Sequence, residues 1–337
     1  MALKLKKSAG TDAGRRRMSN LLAMDFATSG VKAVRLKKIK DRITLAAADI
    51  LPPVGLDAEE HPPIPKPLAA YYTALCATME NAVLRVFQQV LPEEEDLEAV
   101  VREGLGMDSE TRVGGLVLSR AKGKRESTML GVAVPEKTVQ HYLSLFDSGA
   151  PAPHSLELSG LSALSAFLYN CGTRTANQTV CVIETGESCT HAAFFHRNQL
   201  QLVNRFDVGG GSLIRQIQLS LGVDADMAAA ILMDGTVDVS VQVRHILGPF
   251  TKQLSIYREF IERQNKSALS AVYMSGGLAS SDCWQNALKD VLGFIPEVWN
   301  PFDRLDIAPD AFPEPLKGQE PRFAAAVGAA LAGMEPE

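Results

Sequence analysis

The chain has 337 residues, 46% of them apolar and 22% charged, with a formal net charge of −5. A chain of this length exceeds one small core and predicts two domains or lobes, and the mildly acidic balance excludes a global attraction to nucleic acid. The five cysteines (Cys76, Cys171, Cys181, Cys189 and Cys283) show no C-x-x-C spacing, so free thiols in a reducing cytoplasm are expected, not a disulfide framework or a zinc site.

Residues 1–19 carry Lys4, Lys6, Lys7, Arg15, Arg16 and Arg17 against Asp12 alone. This composition predicts a disordered, solvated basic tail; the sharper reading is a weak contact with an anionic membrane face or an acidic partner. No apolar stretch of signal-peptide length precedes Leu21, and no run reaches the roughly eighteen apolar residues a membrane span needs. A cytoplasmic protein is expected.

Leu21 to Leu36 reads as an apolar strand, a tight polar turn and a second strand. Asp25 closes the first strand, Thr28, Ser29 and Gly30 make the turn, and Lys32 follows it. Such a turn is either a surface hairpin or a phosphate loop that gathers backbone N–H groups and small polar side chains. Arg42 to Ile50 reads as a third strand after the Lys40–Asp41 turn. Six prolines between Pro52 and Pro67 then mark a linker and a domain boundary.

Residues 68–150 read as a separate insert. Leu68 to Val90 has helical spacing in its first half and β-branched residues in its second, and periodicity leaves helix and strand both open. Glu93 to Val101 reads as a helix, with Pro92 at its start and acids in its first turn. Strands at Gly115–Ser119 and Met129–Val134 are joined by the charged loop 120–126, and Pro135 opens a helix to Phe146. Ser155 to Tyr169 reads as an apolar helix with small residues on its faces.

Thr179 to Phe195 repeats the opening pattern: Asp25 matches Glu184, Ala27 matches Gly186 and Ser29 matches Ser188. A third strand, Leu200 to Asp207, again follows a tight turn, Arg197–Asn198. Repetition of one strand–turn–strand–strand unit predicts two similar lobes. Gly209-Gly210-Gly211-Ser212 then opens a helix over 213–221; it either holds an anion at the helix N-terminus or is a plain strand-to-helix turn. Asp224 caps a further helix, and Val243 to Arg263 is a long amphipathic helix with a break at Pro249. Ser270 to Ala279 is a buried strand ending in Gly276-Gly277, where a flat ligand can approach the backbone. A helix at 283–292, a short edge strand at 297–302 and an Ala/Gly-rich helix at 321–334 complete the chain.

The ordered set of Asp25-x-x-x-Ser29-x-x-Lys32 after an apolar strand, its second copy, Ser275-Gly276-Gly277, Asn300-Pro301-Phe302 and the terminal Ala/Gly helix resembles the actin-like ATPase fold. It is most similar to the PilM family of type IV pilus assembly proteins, relatives of the cell-division protein FtsA. The resemblance implies an α/β fold of two lobes, each with a mixed sheet and flanking helices, plus an inserted α/β subdomain. The first lobe would be 20–67 completed by 151–174 and 323–337, the insert 68–150, and the second lobe 175–322. It implies ATP with Mg2+ as ligand, Asp25, Thr28, Ser29 and Lys32 as the first phosphate turn with Asp25 toward the metal, and Glu184, Gly186, Ser188 and Thr190 as the second. Gly209, Gly210, Gly211, Gly276 and Gly277 would line the nucleoside side. As partners it implies the cytoplasmic tail of a PilN-like inner-membrane protein, in a groove involving the insert, and other pilus assembly proteins. That would make the chain a scaffold peripheral to the inner membrane.

The chain departs from the family pattern at four places. Ala27 replaces the glycine of Asp-x-Gly, Glu184 replaces an aspartate, Glu187 stands where small or hydroxyl residues are common, and Thr251, Lys252 and Gln253 lie where the long helix usually offers an acid. These departures imply weakened nucleotide binding or lost hydrolysis. A small-molecule (sugar or acetate) kinase of the same superfamily is the alternative; it needs a carboxylate base, for which Asp207 is the best candidate, with structural pairing its other reading. An FtsA-like filament former would carry a C-terminal amphipathic anchor, which the ending Gly333 to Glu337 does not resemble.

Overall fold

The computed structural model describes residues 18–55, 57–91, 96–120, 126–146 and 149–334. All but the last two residues of the basic tail expected at 1–19, the acidic helix start at 92–95 and most of the charged loop at 120–126 lie outside the described residues. The chain divides into two compact units: Met1–Asn170 with Pro301–Lys317 and Phe323–Glu337, and Cys171–Asn300 with Gly318–Arg322.

In the first unit, β1 (Asn20–Ala27), β2 (Gly30–Ile39) and β3 (Arg42–Leu51) form the expected meander. The chain then crosses the proline-rich segment, with a 3-10 turn at Lys66–Leu68, and re-enters the same sheet as β4 (Tyr72–Ala77), parallel to β1. The insert follows as β5 (Val83–Val90), α1 (Leu97–Leu105), β6 (Thr111–Arg120), β7 (Glu126–Pro135) and α2 (Glu136–Ser144). The chain then returns to the large sheet as β8 (Ala152–Leu158), which pairs parallel with β4, and continues into α3 (Ser159–Thr175).

Three sequence expectations change here. The first half of 68–90, open between helix and strand in the sequence, holds strand β4, which belongs to the large sheet, so the insert begins after it and not at residue 68. Ser155 to Leu158 is the end of a strand, with the helix beginning only at Ser159. β4 lies inside the sheet and, buried along Thr73–Ala77, shows a near-continuous small and apolar run with no alternation, whereas β8 is the edge strand and carries the polar Ser155 and Glu157 buried between Leu156 and Leu158. Residues 301–317 join the first unit, because β14 (Asp306–Ile307) pairs with β3.

The insert is a three-stranded antiparallel sheet, β5-β7-β6, covered by α1. Asp96 caps α1 by accepting the Glu98 N–H at 3.0 Å. Val100, Val101 and Leu105 of α1 meet Val113, Met129 and Ala133 of the sheet. Gly115 and Gly131 lie under Val101, so glycine in these strands marks the close approach of the helix.

The last helix of this unit, α8 (Ala324–Met334), is buried along its whole length. A β-carbon on Gly328 would collide with the backbone carbonyl of Ser162 in α3, so α3 and α8 touch backbone to backbone. The small residues that the sequence places on both helices are there for that contact.

In the second unit, β9 (Thr179–Thr185), β10 (Thr190–His196) and β11 (Gln199–Phe206) repeat the meander. Then come α4 (Gly210–Leu221), α5 (Ala225–Asp234), α6 (Ser240–Asn265), β12 (Ala271–Gly276), α7 (Asp282–Leu292) and β13 (Glu297–Val298). The sheet order is β11-β10-β9-β12-β13, and β12 runs parallel to β9. The first unit contains β3-β2-β1-β4 in the same relation. Cys181, Ile183 and Met274 share a core with Leu213 of α4, Leu254 of α6 and Trp284 of α7.

The predicted break at Pro249 is absent. Helix α6 passes through Pro249 without interruption, because Val243, Leu247, Phe250 and Leu254 form one buried stripe across it. Packing of that stripe offsets the one backbone hydrogen bond a proline removes. The edge strand expected at 297–302 is reduced to two residues.

Among the described residues no helix is long and apolar enough to cross a membrane.

Candidate functional site

In the first unit the β1–β2 turn is a two-residue hairpin: Ala27 pairs with Gly30, and Thr28 and Ser29 stand exposed at its tip. Gly30 has φ +107°, and a β-carbon there would sit 3.0 Å from both Ile50 Cγ2 and the Leu51 carbonyl, so the turn requires glycine. Asp25 is 6% exposed and lies directly across the ladder from Lys32. The Lys32 ammonium, also buried, donates to Ser29 Oγ at 2.8 Å and to the Gly30 carbonyl at 3.1 Å. The structure thus brings Asp25, Thr28, Ser29 and Lys32 together.

Asp25 also has neighbours that local pattern does not reveal. Ser159, first residue of α3, donates its hydroxyl to Asp25 Oδ1 at 2.5 Å, and the Cys76 thiol lies 3.6 Å from the same oxygen. Lys32, Asp25, Cys76 and Glu157 are successive cross-strand partners on β2, β1, β4 and β8. Glu157 accepts from Ser162 at 3.0 Å and is 2% exposed. Burial, together with the charges of Asp25 and Glu157, pushes the Cys76 thiol well above its ordinary range, so it stays protonated and unreactive. On the insert side, Phe26 packs on Tyr142 and Phe146. Burial and the Asp25 charge also raise the Tyr142 phenol, which places α2 within electrostatic reach of the turn.

In the second unit the repeat is exact in register. Gly186 N–H donates to the Cys189 carbonyl at 2.9 Å, so Glu187 and Ser188 form the tip, as Thr28 and Ser29 do in the first unit. Glu184 then stands across the ladder from His191, as Asp25 stands across from Lys32. His191 Nδ1 lies 3.3 Å from Glu184 Oε2. Burial opposes charge on His191, but the Cys189 sulfur and the Glu184 carboxylate outweigh it and push the imidazole up to about 10. Each turn therefore carries an acid with a base opposite. Sequence reading missed His191 as a partner, although its distance from Glu184 matches that of Lys32 from Asp25.

The glycine turns of this unit converge on the second hairpin. Gly210 N–H donates to the Gly186 carbonyl at 3.0 Å, Gly211 N–H to the Glu187 carbonyl at 2.9 Å, and Gly277 N–H to the Thr185 carbonyl at 2.8 Å. A β-carbon on Gly209 would sit 2.5 Å from the Glu187 carbonyl, and one on Gly276, which has φ +94°, would overlap the Thr185 carbonyl. These glycines are needed for backbone to meet backbone, and the N–H groups of Gly210 and Gly211 at the start of α4 are engaged by the turn. Ser188 is exposed at the tip, whereas the Thr190 hydroxyl is turned to the Val208 carbonyl at 2.7 Å and ties β10 to the segment before α4. Among the described residues no partner is seen for the N–H groups of Glu187 and Ser188, the turn's remaining donors.

Asp207, the candidate base of the kinase reading, pairs with Arg205 at 2.6 Å, and its side chain is 82% exposed. That is a surface ion pair, without the burial that tunes a catalytic carboxylate. Among the described residues no three His, Cys, Asp or Glu side chains form a metal cluster. Asp25 supplies one buried carboxylate, which suits Mg2+ held jointly with phosphates and not a preformed all-protein cage.

A family profile described as type IV pilus assembly protein PilM matches residues 161–334, just over half of the chain. A solved structure described as the PilM-PilN type IV pilus biogenesis complex is similar with a TM-score of 0.78 at 20% identity, covering 95% of this chain and 100% of that one. Weaker likenesses include a Bacteroides thetaiotaomicron protein described as having an actin-like ATPase fold (TM-score 0.47, 11% identity, 95% and 99% covered). Another is the ethanolamine utilization protein EutJ from Carboxydothermus hydrogenoformans (TM-score 0.46, 11% identity, 94% and 91% covered). No curated protein sequence matches the chain. The repeated meanders, their parallel fourth strands and the insert define an actin-like ATPase fold. Within that class, the chain belongs to the PilM family of type IV pilus assembly proteins.

Proposed function

We propose that this protein is a scaffold of type IV pilus assembly that binds the cytoplasmic tail of a PilN-like inner-membrane protein and so stands peripheral to that membrane. The observation that carries this reading is the likeness, over nearly the whole of both chains, to the PilM-PilN complex structure. Co-purification tests it: a PilN-like protein from the same organism is expected to retain the chain, and a version lacking the cytoplasmic tail to lose it. Equal retention by both would contradict the reading.

The same scaffold binds ATP with Mg2+ weakly. Taken by itself, the first unit offers phosphate contacts from Thr28, Ser29 and Lys32; the second, by itself, offers the backbone donors at Glu187 and Ser188. Asp25 faces the metal. The ordered Asp25–Ser159 and Lys32–Ser29 contacts support this assignment, since positioned groups cost little to reorganise on binding. Millimolar Mg-ATP is expected to raise the melting temperature of the full chain by a few degrees, and Asp25→Ala to remove the rise. A rise of the same size in Asp25→Ala would contradict the assignment of that carboxylate.

A further inference from the structure

The chain carries a net charge of −5, yet one end of the first unit's large sheet is basic. β1 starts and β2 finishes at that end, and β3 and β4 start there: Asn20 pairs with Lys37, Ile39 with Arg42, and Leu22 with Thr73. Lys37, Lys38, Lys40 and Arg42 stand on this end. Lys66 joins them from the 3-10 turn, which Arg35 holds to β2 by donating to the Pro67 carbonyl at 3.1 Å. The acids beside them are Asp41 and Asp306, of which Asp306 is paired with Arg42 at 3.6 Å. Glu335 and Glu337 follow α8, whose Gly333 lies against Leu21. The acids Asp57, Glu59 and Glu60 follow from the opposite end of β3.

Three large apolar side chains stand in solvent among these cations. Ile39 is 60% exposed, Tyr71 68% and Tyr72 37%. The two tyrosine rings meet edge to face, 4.7 Å between centroids. The Tyr71 carbonyl accepts the Ala152 N–H at 2.8 Å, so its backbone is fixed while its ring projects. Ile39 on β2 and the tyrosines at β4 are two strands apart, about 10 Å. A tyrosine, apolar in body and polar at its tip, suits the headgroup level of a bilayer, and a lysine stem does the same.

The course of the chain adds a second observation. The Ser19 carbonyl accepts the Lys38 N–H at 2.8 Å, so the chain enters β1 at this end. Residues 1–17, outside the described residues, carry Lys4, Lys6, Lys7, Arg15, Arg16 and Arg17 against Asp12. Their charges join the sheet where its own cations are gathered.

We propose that this end of the first unit docks directly on an anionic bilayer, with Ile39, Tyr71 and Tyr72 at headgroup level and the surrounding lysines and arginines on lipid phosphates. Apolar contact and basic charge are each weak anchors alone and add when both are present. Nucleic acid would meet the cations and leave Ile39 in water, so the bilayer is the better fit. The contact needs no second protein and is independent of the PilN reading.

Co-sedimentation of the full chain with vesicles tests it. One set contains phosphatidylethanolamine and phosphatidylglycerol, the other phosphatidylcholine alone. Wild type is expected to bind the anionic set at least about tenfold more tightly, and to lose most of that binding in high salt. Lys40→Gln with Lys66→Gln, and Ile39→Ser with Tyr71→Ser, are each expected to weaken it about fivefold or more. All four side chains are exposed, and unchanged thermal melts verify folding. Phe260→Ser, which removes an exposed ring from the second unit, is expected to change nothing. Equal binding to the two sets, binding to neither, or capture by a short DNA duplex without vesicle binding would overturn the proposal. So would binding lost on neutralising the six cations of residues 1–17 but indifferent to Ile39→Ser with Tyr71→Ser. Since the vesicles hold no protein, failure here leaves the PilN reading standing.

Discussion

At the scale of the residue, the acid in each turn is defined by the base opposite it. Glu184 and His191 are both nearly buried, and their side chains lie 3.3 Å apart. Replacing His191 with Phe keeps the ring volume and leaves the carboxylate without its cation, a change that costs about 3–5 kcal/mol for a buried pair. Urea unfolding of His191→Phe measures this. The pH dependence has a definite sign. His191 is raised in the folded protein to about 10, above the roughly 6.5 of an unfolded histidine. Its contribution is therefore complete below about pH 6.5 and is lost as pH rises through about 10. Wild type is expected to lose stability over that window by more than His191→Phe does. A parallel pH dependence of the two proteins would contradict the pairing.

At the scale of the element, helices and glycines are set by close approach. In the first unit α8 lies with Gly328 against the Ser162 backbone of α3. Gly328→Val inserts atoms where none fit and is expected to destabilise by about 1–3 kcal/mol, read from the denaturation midpoint. Gly318→Val would be a poor control because of its positive φ, whereas Gly248→Ala, on the open face of α6, is expected to be nearly neutral.

Elements differed in how far the sequence exposed them. The two meanders were legible because the strand–turn–strand–strand unit recurs, with Asp25 matching Glu184, Ala27 matching Gly186 and Ser29 matching Ser188. Strand β4 was not, because burial on both faces erases the alternation that marks a strand, and β8 was not, because it runs without a break into the apolar helix α3. The surroundings of Asp25 were not legible either. Cys76 and Ser159 reach it from 51 and 134 residues away, and no local pattern announces such contacts. For Glu187, the residue type alone flagged a departure. Its place over α4 depends on how the glycine run docks on the turn, which is a tertiary fact.

At the scale of the whole molecule, family and fold agree: a PilM family profile covers just over half of the chain, and the actin-like architecture extends through nearly all of it. Of the turn residues that depart from the family pattern, Ala27 and Glu184 leave the charge as it was and Glu187 adds a carboxylate, and the two units share strand order and pairing. The function proposed for this molecule is to bind another protein. That binding is the central claim, and isothermal titration of the full chain with a synthetic peptide of the cytoplasmic tail of a PilN-like protein from the same organism tests it most directly. A saturable heat with a dissociation constant of about 1–10 μM or tighter, corresponding to roughly 7–8 kcal/mol, is the predicted result; no binding at peptide concentrations of about 100 μM, with the protein folded, would contradict it.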